Sequence, residues 1–352
     1  MLNASPDSGS RQHLSMDAYG LDHQAWRRWA QAHGLPAYRG QQVFEAIMHR
    51  GATRFAAVKG LPAGLQQEWD QQFRWLDGQE IRQQRSCDGT CKSLLQLHDG
   101  SLAECVGIPT NDRQTVCVSS QVGCAVGCTF CASGLHGVTR DLTAGEIVAQ
   151  VLHFHRWRPV SNVVFMGSGE PLFNYQAVLQ AIRVLGDERG LNLGRRRITV
   201  STSGVAPKIR CFGQDEPQVT LALSLHAPDD ETRNRLVPLN RRWPIAELLD
   251  AMDAYAKTVN RRMTFEYVLL ADANMASAQA RDLARLARRY GAHINLIPFN
   301  TVEHSQHRAP AEAEVQRFAA ELGRAGGHYT LRGQRGADID AACGQLADKN
   351  RR

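Results

Sequence analysis

No stretch of this 352-residue chain is apolar for long enough to span a bilayer. Its opening residues, MLNASPDSGSRQHLS, are polar and serine-rich and lack the apolar core of a secretory signal. They read as a loose tail, expected to be disordered over 1–16. Internal repeats are absent, and no low-complexity segment follows that tail. Charge of one sign is not in large excess either: 41 Lys and Arg stand against 35 Asp and Glu, a net charge of +6. That balance permits a polyanionic partner without demanding one. These absences leave a cytoplasmic, reducing location as the expectation, with no membrane partner. The 43% of hydrophobic residues is ample for one large domain and a smaller one.

Nine cysteines are present, and in a large cytosolic chain metal or catalytic roles outweigh disulfides. Three of them, Cys124, Cys128 and Cys131, fall within GCAVGCTFCASG (123–134) at CxxxCxxC spacing. What is missing is a fourth ligand. A structural zinc closes its tetrahedron with four protein groups. Cys117 lies seven residues upstream, but TVCVS alternates like a strand, which would hold it away from a tight loop. Cys87 and Cys91 are spaced CxxxC, a poor zinc knuckle, and no second CxxC pair exists. Three thiolates on a cubane iron–sulfur cluster instead leave one iron open, where a substrate or cosubstrate binds.

The hydrophobic pattern divides the chain. Residues 17–80 read as a helical accessory domain, with Trp26 and Trp29 on one face of DHQAWRRWAQAHG. Over 81–113, the turn signals DGT (88–90) and HDG (98–100) separate short runs, which predicts a small antiparallel β extension. From 114 to 348, six candidate strands alternate with helical stretches: TVCVS, NVVFM, RITVST, VTLALSL, TFEYVLL and HINLIP. Thr143 and Glu146 form a capping box before one of those helices. The expected fold is α/β, a partial (β/α)6 barrel of parallel strands. A basic tail, 349–352, closes the chain. Ligands collect at the carboxyl ends of parallel strands. There the sequence places GSGEP (167–171), STSG (201–204), Ser224, His226, Asn300 and the cysteine triplet.

CxxxCxxC after the first strand of such a barrel resembles the signature of radical S-adenosylmethionine (SAM) enzymes. The longer stretches CVSSQVGCAVGCTFCASG (117–134), FMGSGEPLFNY (165–175), LALSLHAPDDETRNRLVPLNRRWPI (221–245), INLIPFN (294–300) and RGADIDAACGQLA (335–347) resemble the RlmN/Cfr family of RNA adenine methyltransferases. The resemblance covers roughly residues 17–348. It implies one 4Fe-4S cluster on Cys124, Cys128 and Cys131, and SAM contacts at Gly169, Glu170, Ser201, Ser224, Leu225, His226 and Asn300. It also implies that Cys343 is methylated by one SAM, and that a deoxyadenosyl radical from a second takes hydrogen from that methyl group. The carbon then adds to the adenine ring. Glu104 matches the base that removes the ring proton, and Cys117 the thiol that pairs transiently with Cys343 to release product. From the residues alone, Cys343 reads as an inert buried thiol and Glu104 as a surface carboxylate.

What the resemblance implies is methylation of adenosine carbon 2 in 23S rRNA, with tRNA a further candidate, by a monomer fed by an external, flavodoxin-like electron donor. GEPLFNY and RGADIDAACGQL lean to the RlmN side. A Cfr-like carbon-8 enzyme conferring antibiotic resistance is the alternative, and a non-catalytic zinc-containing RNA-binding or assembly factor comes from a different class. Basic runs such as Arg195–Arg197 and Arg241–Arg242 suit phosphate contacts without locating them. Three points depart from the family pattern: Ser168 where methionine is common, the segment TVEHSQHRAP (301–310), and the extra thiols Cys87, Cys91 and Cys105, which read as packing residues.

Overall fold

The computed structural model describes residues 16–75, 79–302 and 305–346. The basic tail and all but the last residue of the expected disordered tail lie outside the described residues. Three helices come first: α1 (His23–Ala32), α2 (Ala37–Arg50) and α3 (Ala63–Gln72). The Asp22 carboxylate caps α1 by accepting the Ala25 N–H. The tryptophans face inward as the spacing predicts, stacking with Phe55, Trp69 and Phe73 in one aromatic cluster. His23 ties this module to Asp187, and Gln180 donates to the Gly20 carbonyl.

A ten-stranded sheet organises the rest. Strands β1 (Gln79–Arg85), β2 (Cys91–Gln96), β3 (Leu102–Thr110) and β4 (Arg113–Val118) form an antiparallel meander. The β1–β2 and β2–β3 turns fall at DGT and HDG, where Gly89 and Gly100 take left-handed φ of 84° and 81°. From β4 onward every pairing is parallel, through β5 (Asn162–Phe165), β6 (Ile198–Thr202), β7 (Thr220–Ser224), β8 (Thr264–Leu269), β9 (His293–Pro298) and β10 (Tyr329–Leu331).

Strand order in the sheet follows chain order without reversal. Each crossover therefore steps the same way, the helices gather on one side, and the sheet curls as a partial barrel. The connecting helices are α4 (Ala144–His155), α5 (Tyr175–Leu185), α6 (Ala206–Asp215), α7 (Asp230–Leu236), α8 (Ile245–Val259), α9 (Ser277–Arg289) and α10 (Glu312–Arg324). The Thr143–Glu146 capping box opens α4. All six expected strands are present. The structure adds a seventh parallel strand, β10, too short and exposed to show a burial pattern in sequence. Strand β4 belongs to both ladders, so the antiparallel extension and the barrel are one continuous sheet.

Candidate active site

The cysteine loop leaves the carboxyl end of β4 through a two-stranded ribbon, Gln121–Gly123 paired with Val138–Asp141. Gly123 sits at φ 81°, and a Cβ there would lie 2.1 Å from the Gly137 carbonyl oxygen, so the ribbon closes only on glycine. Inside it, Cys124 N–H donates to Gly137 O at 3.0 Å and Cys131 N–H to Cys128 O at 3.1 Å. All three cysteines pack against a separate apolar cluster that includes Val126, Phe130, Val237, Val268 and Phe299. Burial pushes the Cys124 thiol up to about 12 and raises Cys128 and Cys131 as well. Thiols in such surroundings become thiolates only against a cation, which coordinated metal supplies.

Among the described residues no group of three or more His, Cys, Asp or Glu side chains could hold a metal ion. A mononuclear zinc needs its sulfurs about 2.3 Å from one point. A cubane gives each thiolate its own iron and so needs them spread around a wider body. The donor set, three soft thiols on one apolar-walled loop, fits an iron–sulfur cluster. On the outside of this loop Thr129 Oγ1 meets His307 Nε2 at 2.8 Å, and His307 Nδ1 meets Asp272 Oδ2 at 3.1 Å.

The next wall is built from strand ends. Gly169 has φ 104°, and a Cβ would meet the Gln121 side chain at 2.6 Å. Gln121 Oε1 in turn accepts the Glu170 N–H at 2.9 Å. The Glu170 carboxylate is buried and accepts from Thr202 Oγ1 (2.7 Å), Ser203 N–H (2.7 Å) and Leu172 N–H (3.1 Å). Burial raises its pKa while these donors pull it back. Ser201 and Ser224 bring their hydroxyls to 3.0 Å across β6 and β7. Leu225 is fully buried, and Asn300 is buried just beyond the end of β9. His226 adopts a left-handed φ of 59°, packs edge-on against Phe130, and accepts the Val268 N–H at Nδ1 (3.1 Å). Burial, aided by Arg233, pushes its pKa down to about 3. The ring is therefore neutral, with its proton on Nε2.

A second group of residues lies on one face of the antiparallel part. Strand register sets Lys92 opposite Val106, and Val106 opposite Cys117. Glu104, two residues before Val106, shares that face. Over it runs the segment carrying Cys343. Ala341 and Leu346 pack on Val106 and Cys117. The Lys92 ammonium lies 3.2 Å from Glu104 Oε1 and donates to the Asp340 carbonyl at 2.9 Å. At its other side the segment joins the cysteine loop: Ala132 N–H donates to Gly344 O (2.8 Å) and Ser133 Oγ to Leu346 O (2.6 Å). Burial pushes the Cys117 thiol up to about 12, with neighbouring Cys343 adding to it. The Cys343 thiol is raised by burial, then by Glu266, although the residue stands at the solvent edge. A small cavity lined by Glu104, Gln121, Gly123, Ala132, Ser133 and Ser168 lies between this face and the loop.

Residues 118–284 match the radical SAM superfamily. A probable dual-specificity RNA methyltransferase RlmN of Desulfitobacterium hafniense (strain Y51) is 45% identical over 326 residues, covering 89% of this chain and 91% of the relative. The chain belongs to the RlmN family of radical SAM RNA methyltransferases. A relative of the same name from Symbiobacterium thermophilum is also 45% identical, covering 91% of this chain and 88% of its own. The crystal structure of a radical SAM methyltransferase from Sphaerobacter thermophilus superposes with a TM-score of 0.90 at 44% identity, over 94% of this chain and 98% of that one. Membership in the RlmN family makes this chain an enzyme whose family chemistry uses an iron–sulfur cluster and SAM. Among the described residues no helix is long and apolar enough to cross a membrane.

Three readings made from the residues alone are corrected: Glu104 is buried beside Lys92 and not at the surface, Cys343 is exposed and not buried, and one of the extra thiols is not a packing residue. Cys91 and Cys105 are buried as packing residues, but Cys87 is exposed at the β1–β2 turn. Two residues escaped sequence reasoning. Arg233 is fully buried and donates to the carbonyls of Ser203, Ser224 and Leu225 and to Asn240, tying the ends of β6 and β7. In DETRNRL nothing distinguishes it from exposed Arg235. Lys92 is the other, in a strand whose alternation points it to the Glu104 side. Nothing in CKSLLQ marks it as buried either.

Proposed function

We propose that this RlmN-family enzyme methylates carbon 2 of adenosine in 23S rRNA, and in tRNA as a second substrate, through a methyl group carried on Cys343. The observation that carries this reading is the strap 335–346. It hydrogen-bonds the cysteine loop beside Cys131 and packs on the sheet at Cys117, so Cys343 lies between the two. The dual-specificity name of the relatives supports two RNA substrates.

In this reading Cys124, Cys128 and Cys131 hold a 4Fe-4S cluster, and the SAM lies along Gly169, Glu170, Ser201, Ser224, Leu225, His226 and Asn300. When bound, cluster and SAM supply a one-electron cleavage that activates the methyl group on Cys343. The residues do the rest. Glu170, braced by Thr202 and Ser203, presents carboxylate to the SAM ammonium. Cys343 brings its thioether carbon to the ring. Glu104 takes the proton from the ring carbon. Cys117, as thiolate, then attacks the Cys343 sulfur: the sulfur–sulfur bond forms as the carbon–sulfur bond breaks, its electron pair stays on the released carbon, and a proton taken up there completes the methyl group. The adenine must be unstacked to reach this depth, which favours folded RNA with an accessible base. An external one-electron donor of flavodoxin type and a monomeric state complete the reading.

The test is anaerobic reaction of the purified enzyme with SAM, reductant and either rRNA or tRNA, followed by mass spectrometry of digested nucleosides. 2-Methyladenosine from both is the expected result. 8-Methyladenosine would establish the Cfr-like alternative, and colourless zinc protein would overturn the cluster.

A further inference from the structure

We propose that Lys92 is a positioning residue that locks the base Glu104 and the carrier segment of Cys343 into one working arrangement. This rests on the reading of Glu104 and Cys343 given above.

The geometry is specific. Lys92 and Glu104 are both buried, at 6% and 8% exposure, and lysine is almost never found at such depth unless paired. The ammonium has three donors and no acceptor capacity. One donor reaches Glu104 Oε1 at 3.2 Å, and another the Asp340 carbonyl at 2.9 Å. Asp340 holds a left-handed φ of 52° three residues before Cys343, and Gly336 one of 63° at the start of the same turn. A Cβ on Gly336 would meet Thr90 at 2.8 Å and Ala341 at 2.9 Å, so the turn is packed hard on the β1–β2 connection. Asp88 and Asp338 add hydrogen bonds from Gly336 N–H and Cys87 N–H. The strap is therefore pinned at one end by turn contacts and in its middle by Lys92. Strand register makes Lys92, Val106 and Cys117 neighbours in a single row. One side chain thus touches the base, anchors the carrier and borders the strand of the releasing thiol.

Two consequences follow. The ammonium holds Oε1 of the carboxylate that is to accept the ring proton. It also ties the distance between base and Cys343 to one fixed point. Neither is needed for the first half-reaction, in which Cys343 itself acquires a methyl group.

The test separates the half-reactions. K92M enzyme is reconstituted anaerobically, its iron is measured, and methylation of Cys343 is read by mass spectrometry alongside methyl transfer to RNA. Expected are unchanged iron, Cys343 methylation within about threefold of wild type, and RNA transfer lowered roughly 100-fold, the scale of a lost general base. K92R, which keeps a positive charge and hydrogen-bond donors at this position, is expected to restore part of the loss. In an E104Q background the K92M change has no further effect, because Lys92 acts through Glu104. Should K92M fail to fold, K92Q and the K92M/E104Q double variant, which leaves no unpaired buried charge, carry the same comparison. RNA transfer at the wild-type rate in K92M or K92Q, parallel loss of both half-reactions, or additive loss in the double variant overturns the proposal. If C343A or E104Q itself transfers methyl normally, the underlying reading fails instead, whatever Lys92 does.

Discussion

The two walls of the site are built by opposite strategies. The proposed cofactor wall starts from a local, apolar-walled element, three cysteines within eight residues with glycines where backbones meet, and is completed by the polar ends of β5, β6 and β7. The acceptor wall is assembled at long range and is polar: Lys92, Glu104, Cys117 and the strap at 335–346 come from four separate segments. A short loop can be specified by its own residues and a few turns. A constellation of distant segments exists only once the sheet has registered β2, β3 and β4. The first wall should therefore fail by losing its cofactor, and the second by losing chemistry while the cofactor stays.

The largest effects test that division directly. C128A is expected to lose the cluster, and with it both methylation of Cys343 and transfer to RNA. C343A should also abolish RNA methylation, yet retain wild-type iron and colour by absorbance and metal analysis. A C343A protein without iron would merge the two walls into one folding unit. E104Q comes next, with RNA transfer reduced by roughly 10²–10⁴-fold, the range for a general base, and with Cys343 methylation intact. Breaking the buried Lys92–Glu104 pair from the glutamate side also leaves an uncompensated charge, costing about 3–5 kcal/mol of stability. A thermal melt of E104Q against wild type reads that cost.

A smaller effect sharpens the comparison through pH. His226, on the cofactor wall, has a folded pKa of about 3 against about 6.5 in an unfolded chain. Above pH 6.5 both states are neutral and nothing changes. As pH falls below 6.5 the unfolded chain takes a proton the folded ring refuses, so stability is lost at up to about 1.4 kcal/mol per pH unit. H226N, which tolerates the left-handed backbone at this position, should flatten that slope between pH 6.5 and 5.5 in urea titrations. An unchanged slope would mean the ring does not carry the acid sensitivity of this wall.

The same division explains what could be read without coordinates. Six of the seven parallel strands showed because each is a largely apolar run, and the capping box of α4 because Thr143 and Glu146 are three apart. The short polar helices α6 and α7 did not, since neither has a periodic apolar face long enough to register. The cysteine loop was legible from spacing alone. Cys343 and Glu104 were legible only through resemblance to a family, because no local pattern marks an isolated cysteine between alanines or a glutamate in a strand. Lys92 and Arg233 were not legible at all. Their roles depend on partners far along the chain, and the sequence around each resembles that of any half-buried strand or polar helix.

The smallest expected effect concerns the outer edge of the proposed cofactor wall, at His307. His307 joins Thr129, between Cys128 and Cys131, to the Asp272 carboxylate. Thr129 is also held from behind, its N–H donating to the Leu236 carbonyl at 3.1 Å. Two anchors on one residue limit how far Cys128 and Cys131 can separate. T129V keeps the shape and the backbone bond but removes the hydroxyl, and a single hydrogen bond of this kind contributes about 1 kcal/mol, or roughly fivefold. Bleaching of the cluster absorbance in air should accelerate by about that factor in T129V and in H307A, and by no more in the double variant. H307Q can still reach the Thr129 hydroxyl and should bleach more slowly than H307N, which reaches only Asp272. Equal bleaching across all five variants and wild type would show that the loop is held by its apolar contacts and backbone bonds, without help from the His307 bridge.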